Sequence, residues 1–206
     1  MTTTSPATLP PPMALALTSN FGSVEHFVEA VVALANDHGD APGQIRLAFD
    51  SHSGALRILW AVDADANGAT LIPLLTIAQP IEPGEFFAGI DWLPVYEHYQ
   101  HAVHAASQRF AAHDIAGALL LDVRRAGVFE AASTMLPGAA WHDPAAVNAW
   151  AQQLPSERPV LVYCVYGHEV GRVTAMRLQA LGVNARFLVG GIDAWERAGR
   201  ATVAKH

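Results

Sequence analysis

From residue 115 onward, short apolar runs alternate with segments that have the periodicity of amphipathic helices. The apolar runs are GALLLDV (117–123), PVLVYC (159–164) and ARFLV (185–189). Such short, continuous runs are typical of strands that are buried on both faces of a sheet. The helical segments between them predict crossover connections, which join parallel strands. We therefore expect residues 115–206 to form an α/β domain around a parallel sheet.

The first half of the chain has a different pattern. Ser23 is placed to cap a helix that ends at Gly39. Two strand-like runs follow, QIRLAFD and ALRILWAV, and the Gly-containing turn between them indicates a hairpin. A third apolar run contains Pro73, which predicts an edge or irregular strand. A long helix is expected from Pro94 to Ala112, with its proline in the first turn.

Charge also divides the chain. Residues 1–114 carry 12 acidic and 3 basic side chains (net −9), residues 115–206 carry 7 and 9 (net +2), and the two sum to the −7 of the whole chain. This shift predicts two modules that meet near Asp114. We expect a disordered lead-in rich in Thr, Ser and Pro at residues 1–20. An acidic α+β module of unknown role then covers residues 21–114.

Composition limits the partners and the compartment. We expect no nucleic acid partner, because phosphate binding needs clustered Lys and Arg and acidic residues outnumber basic ones here, 19 to 12. The acidic half is either a solvated surface or a docking face for a protein. A single cysteine excludes an intrachain disulfide and favours a reducing compartment. With neither a signal peptide nor an apolar run of about 20 residues, we expect a cytoplasmic protein without a membrane partner.

The only cysteine, Cys164, lies where an apolar strand ends and a helical pattern begins. Ligands of parallel sheets bind at this carboxyl edge. Loop amides and the positive end of the helix dipole favour a thiolate there, and Gly167 suits a tight turn. On this interpretation the sulfur is partly exposed and surrounded by the amides of residues 165–169. The alternative is a buried structural cysteine at a strand end.

The C-terminal half also resembles a known family. Segments LLLDVRR (119–125), LPGA (136–139), VLVYC-x-x-G (160–167) and LVGGIDAW (188–195) resemble rhodanese (sulfurtransferase) domains in their order and spacing. The resemblance covers a little under half of the chain and implies a parallel α/β sheet with helices on both faces. It implies that Cys164 takes a sulfane sulfur from a small-molecule or protein donor. The resulting persulfide passes the sulfur to a thiol or another nucleophile, and we expect neither a cofactor nor a metal ion in this chemistry.

The resemblance also assigns roles to individual residues. The substrate-binding residues that it implies follow the catalytic Cys164 directly: Val165, Tyr166, Gly167, His168, Glu169 and Val170. Asp122 and Arg124 would form a supporting network beneath and beside this loop. His168 either stabilises the thiolate or leaving group or lines the entrance.

One departure from the family concerns charge near the cysteine. Family members that use thiosulfate commonly have basic residues at the positions of Val165 and Glu169. A dianionic donor would meet like charge at Glu169, so thiosulfate is doubtful as the natural donor. Alternatively, Glu169 lies in the first turn of the helix, where a carboxylate is stabilised by the helix dipole.

Phosphatase chemistry and a non-catalytic or sensory role are the two alternatives to sulfur transfer at this loop. Phosphatases and arsenate reductases that share this fold need an arginine six residues after the cysteine, where this chain has Val170, so oxyanion phosphatase chemistry is not expected. A non-catalytic or sensory protein, in which Cys164 binds or reports oxidants or persulfides, is the alternative from another class. Without a second cysteine, an oxidised thiol has no resolving partner in the chain, which favours transfer to an outside acceptor.

Three histidines in the N-terminal half are candidate metal ligands. His98, His101 and His104 lie at three-residue spacing on the predicted long helix, and Glu97 lies beside them. The i, i+4 pair of Glu97 and His101 would suit a metal ion. Three-residue spacing spreads the histidines around the helix, so a solvated or interface surface is the alternative.

Overall fold

The computed structural model describes residues 9–62, 70–77 and 86–205. The chain divides into two compact units. The N-terminal unit comprises Met1–Ser51 and Ala55–Ala102, and the C-terminal unit comprises His52–Gly54 and Val103–His206. The boundary predicted near Asp114 stays a prediction, because compactness alone does not show where a separable domain ends. No described helix combines the length and the apolar composition needed to cross a bilayer.

The N-terminal unit has an α+β fold, as predicted. Its described helices and strands are α1 (Pro11–Phe21), α2 (Val24–His38), β1 (Gln44–Asp50), β2 (Leu56–Ala61), β3 (Leu71–Ile77) and most of α3 (Trp92–Ser107). The strands form an antiparallel sheet in the order β2-β1-β3. Pro73 therefore lies in an edge strand, which confirms its predicted position. Ser23 caps α2 by accepting a hydrogen bond from the His26 N–H at 3.0 Å, and Gly39 follows the last turn.

The predicted disorder of residues 1–20 is wrong for residues 11–20, which lie in helix α1. The prediction relied on the Thr, Ser and Pro content of residues 1–20, of which residues 1–8 lie outside the described part of the chain. From Pro11 onward the chain is helical, because proline is tolerated in a first turn. Met13 and Leu17 are spaced i, i+4 and are both fully buried, so their packing stabilises the helix.

The long helix also differs from its prediction. Helix α3 spans Trp92–Ser107 rather than Pro94 to Ala112, and a 3₁₀ turn (Gln108–Phe110) follows it. Ala111 and Ala112 form strand β4, which pairs in parallel with β9 (Ala185–Leu188). Alanine favours helices, so local propensity alone would continue the helix, and here the hydrogen bonds to the neighbouring strand β9 outweigh that preference.

The C-terminal unit is built around a five-stranded parallel sheet flanked by helices, which confirms the predicted fold class. Its remaining strands are β5 (Leu119–Asp122), β6 (Thr134–Met135), β7 (Ala140–Trp141), β8 (Val160–Tyr163) and β10 (Val203–Ala204). Its helices are α4 (Ala126–Ala131), α5 (Val147–Trp150), α6 (Glu169–Ala180) and α7 (Gly191–Arg197). The strand order is β4-β9-β8-β5-β7, so β8 lies in the centre. The predicted helical segment between the runs at 117–123 and 159–164 is divided into α5 and two flanking 3₁₀ turns, Pro144–Ala146 and Ala151–Gln153.

Side chains of the central strand alternate between the two faces of this sheet. Val162 and Cys164 belong to one buried apolar cluster, whereas Leu161 and Tyr163 belong to another. This alternation is the period-2 geometry of any strand. It places the cysteine and the tyrosine that precedes it on opposite faces of the sheet.

Residues 203–205, the last that the structure describes, contact β6 and the end of α4. Strand β10 pairs antiparallel with β6. The Lys205 ammonium group donates to the carbonyl oxygens of Phe129 and Glu130, at 2.6 and 2.8 Å. Carbonyls in the last turn of a helix lack the usual partner four residues on, and the Phe129 carbonyl also accepts from the Ala132 N–H at 3.1 Å, so the lysine adds a second donor to Phe129 and supplies one to Glu130.

Candidate active site

Cys164 is the first residue after the central strand β8, at the carboxyl edge of the parallel sheet. The chain then turns at Gly167, whose φ is +65°, and enters α6 at Glu169. A Cβ atom at Gly167 would lie 2.5 Å from the Leu188 carbonyl oxygen, so only glycine fits this close approach. The predicted order of strand, cysteine, short loop and helix is confirmed. We call residues Cys164–Glu169 the cysteine loop.

The carbonyl oxygens of the loop face the start of α7. Ile192 N–H donates to the Cys164 carbonyl and Asp193 N–H to the Val165 carbonyl, both at 3.0 Å. In a trans peptide the C=O and N–H groups point in opposite directions. The N–H groups of Val165 and Tyr166 therefore point away from α7, which is the arrangement that a cradle of amides requires.

Cys164 is more buried than the amide-cradle interpretation predicts. Only 6% of the residue is exposed, so the expectation of a partly exposed sulfur is wrong. The side chain follows Val160 and Val162 on the face that α6 covers, and it belongs to their apolar cluster. A Cβ atom at Gly171 would lie 3.4 Å from its Sγ, so this glycine brings α6 close to the sulfur. The fold shields the thiol from bulk water.

Arg172 brings a buried positive charge to the cysteine. It is 9% exposed, its Nε donates to the Gly167 carbonyl at 3.1 Å, and its Nη1 donates to Ser107 Oγ at 3.0 Å. The guanidinium also lies over the Phe187 ring, 4.6 Å from the centroid. Burial lowers the pKa of Arg172, and its electrostatic interaction with Cys164 acts in the opposite direction. Among the described residues it has no carboxylate partner within ion-pair distance.

The contact of Arg172 with the loop was missed from the sequence, because the only arginine position that was compared near the cysteine was the phosphatase position, which is Val170. Gly171 and Arg172 are buried residues of α6 and lie one and two positions after Val170. Val170, which occupies the phosphatase position, packs against the apolar cluster around Cys164. The spacing of apolar residues along α6 was the one sequence signal that could have placed Arg172 on the buried side of this helix.

Glu169 is paired rather than isolated. Its Oε1 accepts a hydrogen bond from Nη2 of Arg125 at 3.4 Å. The carboxylate also lies in the first turn of α6, as one of the two interpretations expected, where the helix dipole stabilises negative charge. Arg125 was missed, because the two partners are 44 residues apart and nothing local in the sequence connects them.

Asp122 and Arg124 form a buried network beneath the loop. The Arg124 Nε lies 2.9 Å from both carboxylate oxygens of Asp122, and its backbone N–H also donates to this carboxylate. Tyr163 donates its hydroxyl hydrogen to Asp122 at 2.9 Å and accepts from the Leu136 N–H at 3.1 Å. Burial, and then the Asp122 charge, raise the pKa of Tyr163 well above its usual value. These hydrogen bonds fix the side chain of Tyr163, the residue that precedes Cys164.

Two aromatic side chains of the loop lie at the surface. Tyr166 is 55% exposed, His168 is also exposed, and their ring centroids are 5.9 Å apart. His168 occupies the N-cap position of α6 without a side-chain capping bond. The two roles expected for His168, stabilising the thiolate or leaving group and lining the entrance, stay predictions.

The three histidines that were candidate metal ligands, His98, His101 and His104, all belong to α3. His104 contacts the Gln108 side chain, with 2.7 Å between their nitrogens. In the part of the chain that the structure describes, no three His, Cys, Asp or Glu residues form a group that could hold a metal ion.

Comparison with known protein families finds a match in this half of the chain. Residues 102–198 match the family model of the rhodanese-like domain. Similar solved structures include a rhodanese-related protein from Thermoplasma volcanium (21% identity, 43% of this chain and 86% of that one, TM-score 0.39). A Helicobacter pylori protein is similar at 21% identity (48% and 93%, TM-score 0.42). A thiosulfate sulfurtransferase from Pseudomonas aeruginosa matches at 26% identity (42% and 16%, TM-score 0.37).

The region that matches the family model contains all five strands of the parallel sheet. The match begins before the predicted start at residue 115 and includes β4, whose pairing with β9 makes it part of the same sheet. It also contains the cysteine loop and the network of Asp122 and Arg124. The C-terminal half of this chain is a rhodanese-like domain.

Proposed function

We propose that this protein is a sulfurtransferase that carries a sulfane sulfur on Cys164. The Cys164 thiolate attacks the outer sulfur of a donor, the donor's S–S bond breaks, and the leaving group departs with the bonding electron pair. An acceptor thiolate then attacks the outer sulfur of the Cys164 persulfide and regenerates the thiolate. No oxidant, reductant or cofactor is consumed.

The observation that supports this proposal best is the surroundings of the sulfur. In a rhodanese-like domain, the single cysteine lies at the carboxyl edge of the central strand, near a buried guanidinium with no described carboxylate partner. A buried cation is stabilised by a nearby anion, and a thiolate or persulfide at Cys164 supplies one. A reduced thiol is needed for each cycle, so we place the reaction in the cytoplasm.

Intact-mass measurement after incubation with a panel of sulfur donors tests the proposal. We expect a gain of about 32 daltons, one sulfur atom, which a thiol acceptor removes. The Cys164→Ala variant should show no gain, because the chain has no other cysteine. A wild-type chain that gains no sulfur from any donor, although it is folded, would instead favour the non-catalytic alternative.

The charge at Glu169 affects which donor is used. We propose that thiosulfate is a poor donor for the wild type, because Glu169 presents a carboxylate at the loop and its ion pair with Arg125 is long and partly exposed. Glu169→Arg should raise kcat/KM for thiosulfate at least severalfold, and added salt should narrow the gap between variant and wild type.

The control for this prediction is Glu157→Arg, which makes the same charge change at an exposed residue before β8. Steady-state assays with thiosulfate and a thiol acceptor measure both variants. Equal rates for Glu169→Arg and Glu157→Arg would show that the charge at the loop does not select the donor.

A further inference from the structure

Arg125 lies beside the cysteine loop and has a hydrogen-bond donor without a partner. Its Nη2 donates to Glu169, whereas its Nε is buried and has no partner among the described residues. Buried N–H groups without a partner are rare in folded proteins, since water or a ligand normally satisfies them. The Nε–H is therefore a pre-positioned donor at the side of the loop.

The ion pair between Arg125 and Glu169 is long and has a single contact. Charge-assisted N–H···O bonds are typically about 2.7–2.9 Å long, whereas the contact between Arg125 and Glu169 is 3.4 Å and uses one nitrogen. A guanidinium presents its donors as a planar fork that fits both oxygens of a carboxylate. Glu169 uses only part of that capacity. Its carboxylate also shows which chemical group Arg125 accepts at this position.

We propose that Arg125 is a specificity-determining residue that binds the carboxylate of an organic sulfur donor. This inference rests on the proposed sulfur transfer. The donor carboxylate takes the place of Glu169 and engages Nε and Nη2 together, which satisfies the buried Nε–H. The preferred donor is then a persulfide, R–S–S⁻, whose R group carries a carboxylate. This donor is a dianion like thiosulfate, but its two charges lie at opposite ends, so its carboxylate pairs with Arg125 in place of Glu169 while its sulfane sulfur approaches Cys164, whereas thiosulfate carries both charges on one small ion.

The transfer step balances with this donor. The Cys164 thiolate bonds to the outer sulfur of R–S–S⁻, the S–S bond of the donor breaks, and R–S⁻ leaves with the bonding pair. The thiolate R–S⁻ then takes a proton from water. Arg125 takes no part in bond breaking and acts by holding the carboxylate end of the donor.

Two donors that differ only in this group test the proposal. The persulfides of N-acetylcysteine and of N-acetylcysteine amide carry the same sulfane sulfur, with a carboxylate in the first and a carboxamide in the second. Intact mass against time gives the rate at which Cys164 of the full chain gains sulfur. We expect the wild type to load at least fivefold faster from the carboxylate donor.

Variants test whether Arg125 causes the faster loading from the carboxylate donor. Arg125→Gln should reduce it to less than twofold, and Arg125→Lys should keep an intermediate preference, because a lysine retains the charge but not the fork. Glu169→Gln should load faster from the carboxylate donor only. Arg158→Gln, which removes an exposed arginine bonded to the Ala118 carbonyl at the opposite edge of the sheet, should keep the full preference.

The outcomes separate this inference from the proposed function. Equal loading of the wild type from both donors, or an undiminished preference in folded Arg125→Gln, would overturn the role of Arg125 and leave sulfur transfer intact. Loading from another donor of the panel but from neither of these two would also overturn the role of Arg125. If no donor at all loads Cys164, the transfer proposal fails, and calorimetry on Cys164→Ser with the two parent thiols still tests Arg125. Tighter binding of N-acetylcysteine than of its amide, lost in the double variant with Arg125→Gln, would then support the carboxylate site, and equal binding would overturn it.

Discussion

Replacing Arg124 with methionine should lower the free energy of unfolding of the C-terminal unit by about 3–5 kcal/mol. Arg124 and Asp122 are 4% and 0% exposed, so the variant leaves a carboxylate buried without its counter-charge. The substitution also removes the donor to the Thr134 carbonyl, which is 2.8 Å from Nη2. Hydrogen exchange of the β5 and β8 amides measures the loss in this unit.

The control is Arg158→Met, which removes an exposed arginine from the same unit and should change stability by less than about 1 kcal/mol. Asp122→Leu combined with Arg124→Met removes both charges and should recover part of the loss, because no unpaired ion remains. A loss below about 1 kcal/mol in Arg124→Met alone would show that the pair does not stabilise the fold.

Replacing Arg172 with methionine should slow the loading of Cys164 with sulfur by at least tenfold. The buried guanidinium is the positive charge that interacts with Cys164, and its Nε fixes the loop through the Gly167 carbonyl. A tenfold change requires only about 1.4 kcal/mol of lost stabilisation between the resting state and the transition state. Arg172→Lys should fall between methionine and wild type.

A charge-sensitive reaction separates this electrostatic role from a packing role. Iodoacetate and iodoacetamide alkylate the same sulfur, but only iodoacetate is negatively charged and attracted by a guanidinium. Arg172→Met should lower the ratio of the iodoacetate rate to the iodoacetamide rate. Arg177→Met, which removes a cation further along α6, is the matched control. An unchanged ratio in Arg172→Met would limit Arg172 to holding the loop in place.

Features that depend on neighbouring residues could be predicted from the sequence. The Ser23 cap, the end of α2 at Gly39 and the edge position of Pro73 each follow from local backbone chemistry. The parallel sheet followed from three short apolar runs, and the place of Cys164 followed from its position between a predicted strand and a predicted helix. These features lie in consecutive residues, so a sequence pattern contains them.

Features that depend on long-range contacts could not be predicted. Arg172 and Ser107 are 65 residues apart, and Arg125 and Glu169 are 44 residues apart. The exposure of Cys164 was predicted wrongly because the loop pattern does not show how closely α6 approaches; that approach depends on the missing side chain of Gly171. Helix α1 was missed because its composition suggested disorder, whereas buried Met13 and Leu17 stabilise it.

The attachment of Lys205 has a practical consequence for fragment design. The family match ends at residue 198, so a shortened chain designed from it would omit β10 and this lysine. The carbonyls of Phe129 and Glu130 at the end of α4 would lose the lysine as a donor, and β6 would lose the strand that pairs with it. Helix α4 begins directly after Arg125, so such a fragment would change the support of the proposed donor-binding arginine as well. Fragments for crystallisation or screening should therefore extend through residue 205.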